Sequence, residues 1–558
     1  MGQRYLVTAA LPYSNGRLHV GHIAGAYLPA DVYVRYLRSV GRDVLFICGS
    51  DDNGGAIEIS AAREGTTPEA IVRKYHASQE ASFRGLGISF DVYGGTHTEG
   101  FVERHTELSR QFFKTIHAKG YFEKKAVRQL YDPAAGRFLA DRYVVGRCHY
   151  PDCGYPKAYG DQCENCGRTV DPLQLGSPTS VLTGSAVEFR ETTHWFLKLG
   201  RFESPLREWL QSRTDWRPTV VNYALAQIQE GLPERSMTRD LSWGIPVPLE
   251  DPDARGKVLY VWFDAPIGYV SFTSTLLERR GGSPTDYEHW WKSPDSKIVH
   301  FIGEDNIVFH ALIWPAMLMA EGTFELPWQV VANSFLNIKF PGADEEKISK
   351  SRGTAIWIED FLKEYDPDPL RYYLTAIAPE GARTAYNPEE FLERNDNELV
   401  AALGNFIHRN VAFAHKYFDG RTPAEGERRE LDRRMLAECR AQGERIGEEI
   451  EARRFKSALG ELMKLARAGN LYLDQTKPWS LRKTDPGACA TTVRVCLQAV
   501  RALATYMAPF LPHAAEKTAR MLAMGGGETA WAQALDELPE GRPLGEAEIL
   551  FRKLKEQG

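Results

Sequence analysis

Three groups of residues have the types and spacing to do chemistry. The first is His19-Val20-Gly21-His22, preceded by Ala10-Leu11-Pro12-Tyr13-Ser14-Asn15-Gly16. At a strand-to-helix junction it offers two imidazoles and the unpaired N–H groups of a helix start, which attract phosphate. Gly21 lets a base or ribose come close to the backbone. His19 and His22 can donate hydrogen bonds to phosphate oxygens as charge builds at an α-phosphorus. The second group is Lys347-Ile348-Ser349-Lys350-Ser351-Arg352-Gly353. Two ammonium groups on a Ser- and Gly-rich loop suit a displacement at phosphorus, where a protein supplies mainly position and charge. The third is Cys148-x4-Cys153-x9-Cys163-x2-Cys166. Four thiolates close a tetrahedral zinc site and leave no position for substrate, so its role would be structural. His149, beside Cys148, is an alternative fourth ligand. Taken singly, the bland readings are exposed histidines, a solvated basic loop and free thiols.

These residues need elements to position them. Arg4–Ala10 is a continuous apolar run ending in a Pro- and Gly-bearing loop, as a buried parallel strand does. A helix is expected from about His19, with Ile23, Tyr27, Ala30, Val34 and Leu37 on its buried face and a kink at Pro29. Gly41 ends it, and Val44–Cys48 is a second strand. Strand-loop-helix-strand is how an α/β nucleotide fold begins. The rhythm breaks from about Lys119 to Arg235, read as an insertion. It resumes with strands at Val258–Phe263 and Ile298–Ile302 and a helix at Phe309–Ala320. From about Pro388 the chain is rich in Ala, Leu, Glu and Arg with helical periodicity, which predicts a helical bundle.

Composition sets the bounds. At 558 residues, with 43% hydrophobic and 25% charged residues, the chain has the make-up of a globular protein of three or four domains. No apolar run reaches the length of a membrane span, and Tyr5–Leu11 is too short for a signal-peptide core. The expected compartment is cytoplasmic, with no membrane partner. The net charge of −6 argues against a broadly basic nucleic-acid surface, though a local basic face can sit on an acidic protein. Half of the eight cysteines crowd into Cys148–Cys166, a pattern of metal rather than disulfides.

In order and context, the first two motifs resemble the HIGH and KMSKS signatures of class I aminoacyl-tRNA synthetases. The cysteine cluster and the residues around Trp262 and His310 narrow the resemblance to the methionyl-tRNA synthetase family, over nearly the whole chain. The resemblance implies an α/β fold: a Rossmann-type parallel-sheet catalytic domain split by a zinc-knuckle insertion, then an α-helical bundle that binds the anticodon. The corresponding divisions are 1–118 and 236–340 for the catalytic halves, 119–235 for the insertion, 341–387 for the KMSKS-type loop and stem-contact region, and 388–558 for the bundle. It assigns His19, Gly21, His22, Lys347, Ser349 and Lys350 to ATP, all but Ser349 with a catalytic part. Leu11, Tyr13, Asp51, Trp262, Ala265, Pro266, Tyr269 and His310 fall where the family binds methionine. Asp51 is placed for the ammonium group, and Tyr13 or His310 for a weak hydrogen bond to the sulfur. Asn405, Arg409 and Trp479 match its anticodon readers, an aromatic stacking a base while Asn and Arg bond base edges. The sequence departs from the family at Ile348 for Met, at Asn53 near the amino-acid site, in the first cysteine spacing, and at Glu304 in Gly303-Glu304-Asp305-Asn306, where the family has Lys beside ATP.

The implied reaction is ATP-dependent activation of L-methionine to methionyl-adenylate, then transfer to the 3′ end of tRNA(Met), including initiator tRNA, for initiation and elongation. Mg²⁺ should accompany ATP, and one structural Zn²⁺ should fill the cysteine site. The insertion is too short for the hydrolytic editing domain of leucyl-, isoleucyl- or valyl-type relatives. A monomer is expected, because no OB-like appendage follows Arg552-Lys553-Leu554-Lys555. Two other readings are a synthetase-like RNA-binding protein without ligase activity, and a small-molecule adenylyl-transferring ligase. Retention of the motif His and Lys residues opposes the first, and the helical bundle opposes the second.

Overall fold

A computed structural model describes residues 3–139, 143–160, 163–166, 168, 170–348 and 353–554. Its centre is a five-stranded parallel sheet in the order Gln329–Asn333, Ser296–Gly303, Arg4–Ala9, Asp43–Ser50, Val92–Gly95. Helices cover both faces, so the inner strands are apolar on both sides: Leu6, Val7, Phe46, Ile47 and Val299 are fully buried. The strand order runs outward in opposite directions from Arg4–Ala9 and Ser296–Gly303. A crevice therefore opens at the carboxyl ends of that pair, where such folds bind ligands.

The periodic stretch after the first strand is helical, and Ile23, Tyr27, Ala30, Val34 and Leu37 are all buried. The expected kink at Pro29 is resolved differently. Pro29 sits in the first turn of α-helix Leu28–Ser39, where its missing N–H is tolerated. Ahead of it Ile23–Tyr27 forms a wider π turn, closed by the Leu28 N–H on the Ile23 carbonyl.

Val258–Phe263 corrects the expectation of a sheet strand. Only Val258–Leu259 is extended, antiparallel to Thr238–Arg239, and a long helix, Val261–Arg279, starts directly after Tyr260. That helix is buried nearly all round, and a short apolar run does not distinguish a buried helix from a buried strand.

Within the insertion, Phe122–Asp132 and Glu188–Leu197 form an antiparallel ladder, and Val144–Arg147 pairs with Ala158–Tyr159 and Gly176–Ser180 around the cysteines. A separate small sheet sets Glu346–Lys347 antiparallel, and Thr384–Tyr386 parallel, to Leu336–Ile338. The C-terminal part packs the helices Asn405–Tyr417, Glu430–Glu451, Phe455–Thr476, Pro486–Met507 and Pro512–Met521 around Leu462, Leu465, Leu497 and Leu503. Beyond Met521 the described chain holds two short 3₁₀ turns and no α-helix, so the helical expectation fails for this last stretch.

A buried ion pair joins the two parts. Arg371, with no exposed surface, donates to Asp31 at 2.7 Å and to the carbonyls of Leu86, Pro509 and Phe510. Burial alone would raise the Asp31 pKa, but Arg35 and Arg371, with two hydrogen bonds from Ser89, bring it down to about 2. No described helix is long and apolar enough to cross a membrane.

Candidate functional site

The crevice holds a cleft of about 360 Å³. Its wall includes Leu11, Tyr13, His19, Gly21 and His22 from the first motif, Gly303 and Asp305 from the end of the neighbouring strand, and Lys347 and Ile348 from the second motif. Two motifs more than three hundred residues apart thus face one space. Ser349 and Lys350, also expected here, lie outside the described residues.

The histidine motif is held by reciprocal capping. Nδ1 of His19 accepts from the Gly21 N–H at 3.1 Å, and Nδ1 of His22 accepts from the His19 N–H at 3.1 Å. The rings stack with centroids 3.7 Å apart. Because each Nδ1 accepts, each neutral ring carries its proton on Nε2, which is the donor a phosphate oxygen needs. Gly21 is there for space: an added Cβ would lie 3.0 Å from the His19 ring and 3.2 Å from Cδ1 of Ile348. The isoleucine of the second motif therefore packs directly on the glycine of the first. Gln79, on helix Pro68–Gly85, braces the loop by donating to the Tyr13 and Gly16 carbonyls. Nothing in its sequence context marks it.

Beside the cleft is a small recess lined by Leu11, Tyr13, Asp51, Trp262, Ala265, Pro266, Tyr269 and His310, together with Asn306, Phe309 and Trp314. The helix Val261–Arg279 supplies Trp262, Ala265, Pro266 and Tyr269 from successive turns, and the π turn Phe309–Ile313 supplies His310. Trp262 stacks on Phe309 at 3.9 Å and meets Tyr13 edge-on at 6.3 Å. The Asp51 N–H donates to the Pro12 carbonyl, and the Ser14 N–H to the Asp51 carbonyl, tying the loops after the first two strands together. Oδ1 of Asp51 is buried without a hydrogen-bond partner. Burial, with Asp264 and Asp52 nearby, pushes the Asp51 pKa well above the usual carboxylate range. A buried carboxylate oxygen lacking a donor is what a substrate ammonium group would satisfy.

His310 corrects one expectation. Its ring is buried, which pushes its pKa down to about 4, so it is neutral. Nδ1 lies 3.2 Å from the Asn306 carbonyl and must carry the proton, while Nε2 accepts from the Tyr269 hydroxyl at 3.0 Å. A ring in this state has no donor left for a thioether sulfur, so its part is to orient Tyr269. His300 was not singled out from sequence, although a histidine inside the apolar run Ile298–Ile302 was the available signal. Its Nδ1 pairs with the Thr8 hydroxyl at 2.6 Å, and its ring lies against Tyr269 and His310. Burial, then His310, holds its pKa well below the ordinary value. Asp305, at the end of the same strand, also stands on the cleft wall.

The ligand atoms of Cys148, Cys153, Cys163 and Cys166 lie within 4.8 Å of one another, and Sγ of Cys153 and Cys163 are 3.7 Å apart. Tetrahedral zinc thiolate with Zn–S near 2.3 Å requires edges of about 3.8 Å, so the set fits. His149 is not in the group; the four ligand atoms that converge are those of the cysteines, Cys148 included. The Arg168 N–H, then its guanidinium, brings the Cys166 thiol down to about 6.

In the bundle, Asn405 and Arg409 stand one turn apart on the exposed face of Asn405–Tyr417. Trp479 is 41% exposed, and the Arg409 guanidinium lies 5.9 Å from its ring centroid. A left-handed residue, Lys477, ends the preceding helix, and Pro478 starts the next one, which turns Trp479 outward. A ring this exposed is not part of the bundle's core.

Comparison with known proteins agrees with this geometry. The family model "tRNA synthetases class I (M)" matches residues 5–411, and "Anticodon binding domain of methionyl tRNA ligase" matches residues 422–558. Methionine–tRNA ligase of Porphyromonas gingivalis is 46% identical over 99% of this chain and 79% of its own length. That of Bacteroides fragilis is 45% identical over 99% and 79%. Among solved structures, Mycobacterium tuberculosis methionyl-tRNA synthetase bound by methionyl-adenylate superposes with a TM-score of 0.80 at 26% identity, covering 99% of this chain and 100% of that one. Its free-state structure gives a TM-score of 0.76, also at 26% identity, over 100% and 99%. With a catalytic and an anticodon-binding model in the right order and relatives alike along its whole length, the chain belongs to the methionine–tRNA ligase family of class I aminoacyl-tRNA synthetases.

Proposed function

We propose that the recess binds L-methionine and the cleft binds ATP, and that the chain joins them as methionyl-adenylate before charging tRNA(Met), initiator tRNA included. The observation that carries this is the convergence of both motifs and the Asp51 recess on the switch-point crevice. Asp51 takes the ammonium group, and Trp262, Tyr13 and Leu11 surround the thioether. The carboxylate attacks the α-phosphorus, a P–O bond forms, and the bond to the bridging oxygen breaks to release pyrophosphate. No side-chain nucleophile is required. His19 and His22 donate Nε2 protons toward phosphate oxygens, and Lys347 and Lys350 meet the charge leaving on pyrophosphate. Mg²⁺ would travel with ATP and neutralise part of that charge. The adenylate's carbonyl carbon then passes to a hydroxyl of the terminal ribose, the 2′-OH by resemblance, and AMP leaves.

Cys148, Cys153, Cys163 and Cys166 would hold one zinc ion, which stabilises the insertion's fold. Asn405, Arg409 and Trp479 would read the anticodon. The divisions at 118, 235, 340 and 387, a cytoplasmic location and a monomeric working form belong to the same proposal; light scattering of the purified chain tests the last. The decisive experiment is ATP–pyrophosphate exchange with each amino acid in turn. Methionine alone should support it at low concentration, and exchange driven equally by another amino acid would overturn the assignment.

A further inference from the structure

Among the described residues, the cleft wall carries little positive charge for its proposed ligand. Among the described residues on its wall the permanent cations are Arg17 and Lys347. Arg17 is committed to Glu359 at 2.8 Å and Asp360 at 2.7 Å, with its guanidinium over Trp357.

A further cation stands just behind the wall. The small sheet pairs Leu336 with Thr384 and Asn337 with Lys347. Continuing that register sets Phe335 beside Arg383, and Lys347 diagonally across from Phe335 on the same face. Contacts agree: the Arg383 guanidinium lies 5.6 Å, and the Lys347 ammonium 5.1 Å, from the Phe335 ring centroid. Phe335 lines the cleft, so one ring carries two cations at its rim. Arg383 is otherwise held by Glu304, with Nη2 at 2.9 Å and Nε at 3.1 Å from one carboxylate oxygen. Glu304 sits between Gly303 and Asp305, both on the cleft wall.

We propose that Arg383 is a catalytic residue of adenylation: on ATP entry it leaves Glu304 and bonds the β- and γ-phosphate oxygens, with Phe335 as the pivot it shares with Lys347. This rests on the cleft's assignment to ATP. The exchange is physically reasonable. The Arg383 side chain is 62% exposed, and the single carboxylate of half-buried Glu304 holds so exposed a cation only weakly. A triphosphate offers more charge and bidentate oxygens that match a guanidinium fork. Glu304 then acts as a parking site that keeps the cation near the cleft between turnovers. Arg383 neither gives nor takes a proton; it accompanies the negative charge that moves onto pyrophosphate as the bridging bond breaks.

Single-turnover adenylate formation and pyrophosphorolysis test this in the full chain. Arg383→Ala should weaken the apparent affinities for ATP and for pyrophosphate by roughly tenfold to a hundredfold, the range for a charge-assisted hydrogen bond. Methionine affinity without ATP should not move. Arg383→Lys should recover part of the loss. Glu304→Gln should shift the ATP KM the opposite way, by releasing the parked guanidinium. Glu304→Lys placed in the Arg383→Ala background should restore ATP affinity, because an ammonium then occupies nearly the same position. If Arg383 only braces the fold, Glu304→Gln will copy Arg383→Ala, the lysine will not rescue, and the inference is wrong. A wild-type chain without methionine-dependent exchange would instead overturn the cleft assignment. Wild-type exchange together with an indifferent Arg383→Ala overturns this inference alone.

Discussion

Replacing Asp51 by Asn tests how the recess recognises its substrate. The change is nearly isosteric and removes one buried negative charge. The charge-assisted bond between the unpartnered Oδ1 and an incoming ammonium group contributes on the order of 1.5–3 kcal/mol. Methionine affinity should therefore fall by roughly tenfold to a hundredfold. The same carboxylate is costly in the free protein, because burial, Asp264 and Asp52 all disfavour its ionised form. Its pKa is raised on folding, so ionisation is easier in the unfolded chain. The destabilisation begins as pH rises above the unfolded value near 3.8 and grows until the folded pKa is reached. Asp51→Asn should accordingly melt higher than wild type at neutral pH, with the gap closing toward pH 4. Binding carries the same signature. An incoming ammonium group favours the ionised Asp51, against the burial and neighbouring carboxylates that raise its pKa, so wild-type affinity should rise with pH across the Asp51 titration, and over that range the calorimetric enthalpy should depend on the buffer's own ionisation heat. Titration calorimetry of methionine without ATP, in two buffers, measures both. A variant that binds methionine as tightly as wild type, or melts lower, would refute the reasoning.

Other outcomes follow from features already described. Purified chain should contain one zinc per molecule by elemental analysis, and Cys163→Ser should lose it, while His149→Ala should keep it. Trp479→Ala should lower aminoacylation of tRNA by about 1–3 kcal/mol in tRNA recognition and spare ATP–pyrophosphate exchange; the exposed ring predicts a small change in melting temperature. Arg371→Met should destabilise the chain by roughly 3–5 kcal/mol, because it leaves Asp31 buried with one fewer partner. Asp31 itself has its pKa depressed to about 2. Its contribution of about 2 kcal/mol should be complete above pH 4 and disappear as pH falls through 2, which acid-titrated denaturation would show.

Much of this site was legible because its chemistry is local in sequence. His19-Val20-Gly21-His22 carries its own capping pattern, and the four cysteines need only a turn between pairs to converge. The three inner sheet strands were visible as continuous apolar runs because both faces are covered, whereas the edge strands Val92–Gly95 and Gln329–Asn333 were not read. What was not legible depends on pairing or on hydrogen position. Val258–Phe263 looks like a strand because a helix buried all round has no polar face to betray its period. The role of His310 turned on which nitrogen holds the proton, and that is set by the Asn306 carbonyl and the Tyr269 hydroxyl. Glu304 was noticed as a missing positive charge, but Arg383 lies 79 residues further on and reaches it only through the register of a three-stranded sheet. Gln79 gives no signal, since a glutamine on an amphipathic helix is ordinarily a solvated one.

The buried Arg371–Asp31 pair also bears on how this molecule can change over generations. Each partner is costly to remove while the other is present, because the buried charge that stays behind is then incompletely compensated. Two well-packed apolar side chains in their place could serve as well or better, yet every single substitution on the way passes through a much less stable chain. The pair therefore acts as a ratchet at the junction of the catalytic and anticodon-reading parts. It confines drift in the first helix, in the segment around Arg371 and in the backbone at Pro509–Phe510 to changes that preserve their mutual placement. Lineages that carry it should keep the spacing between active site and anticodon face even where the surrounding surface diverges freely.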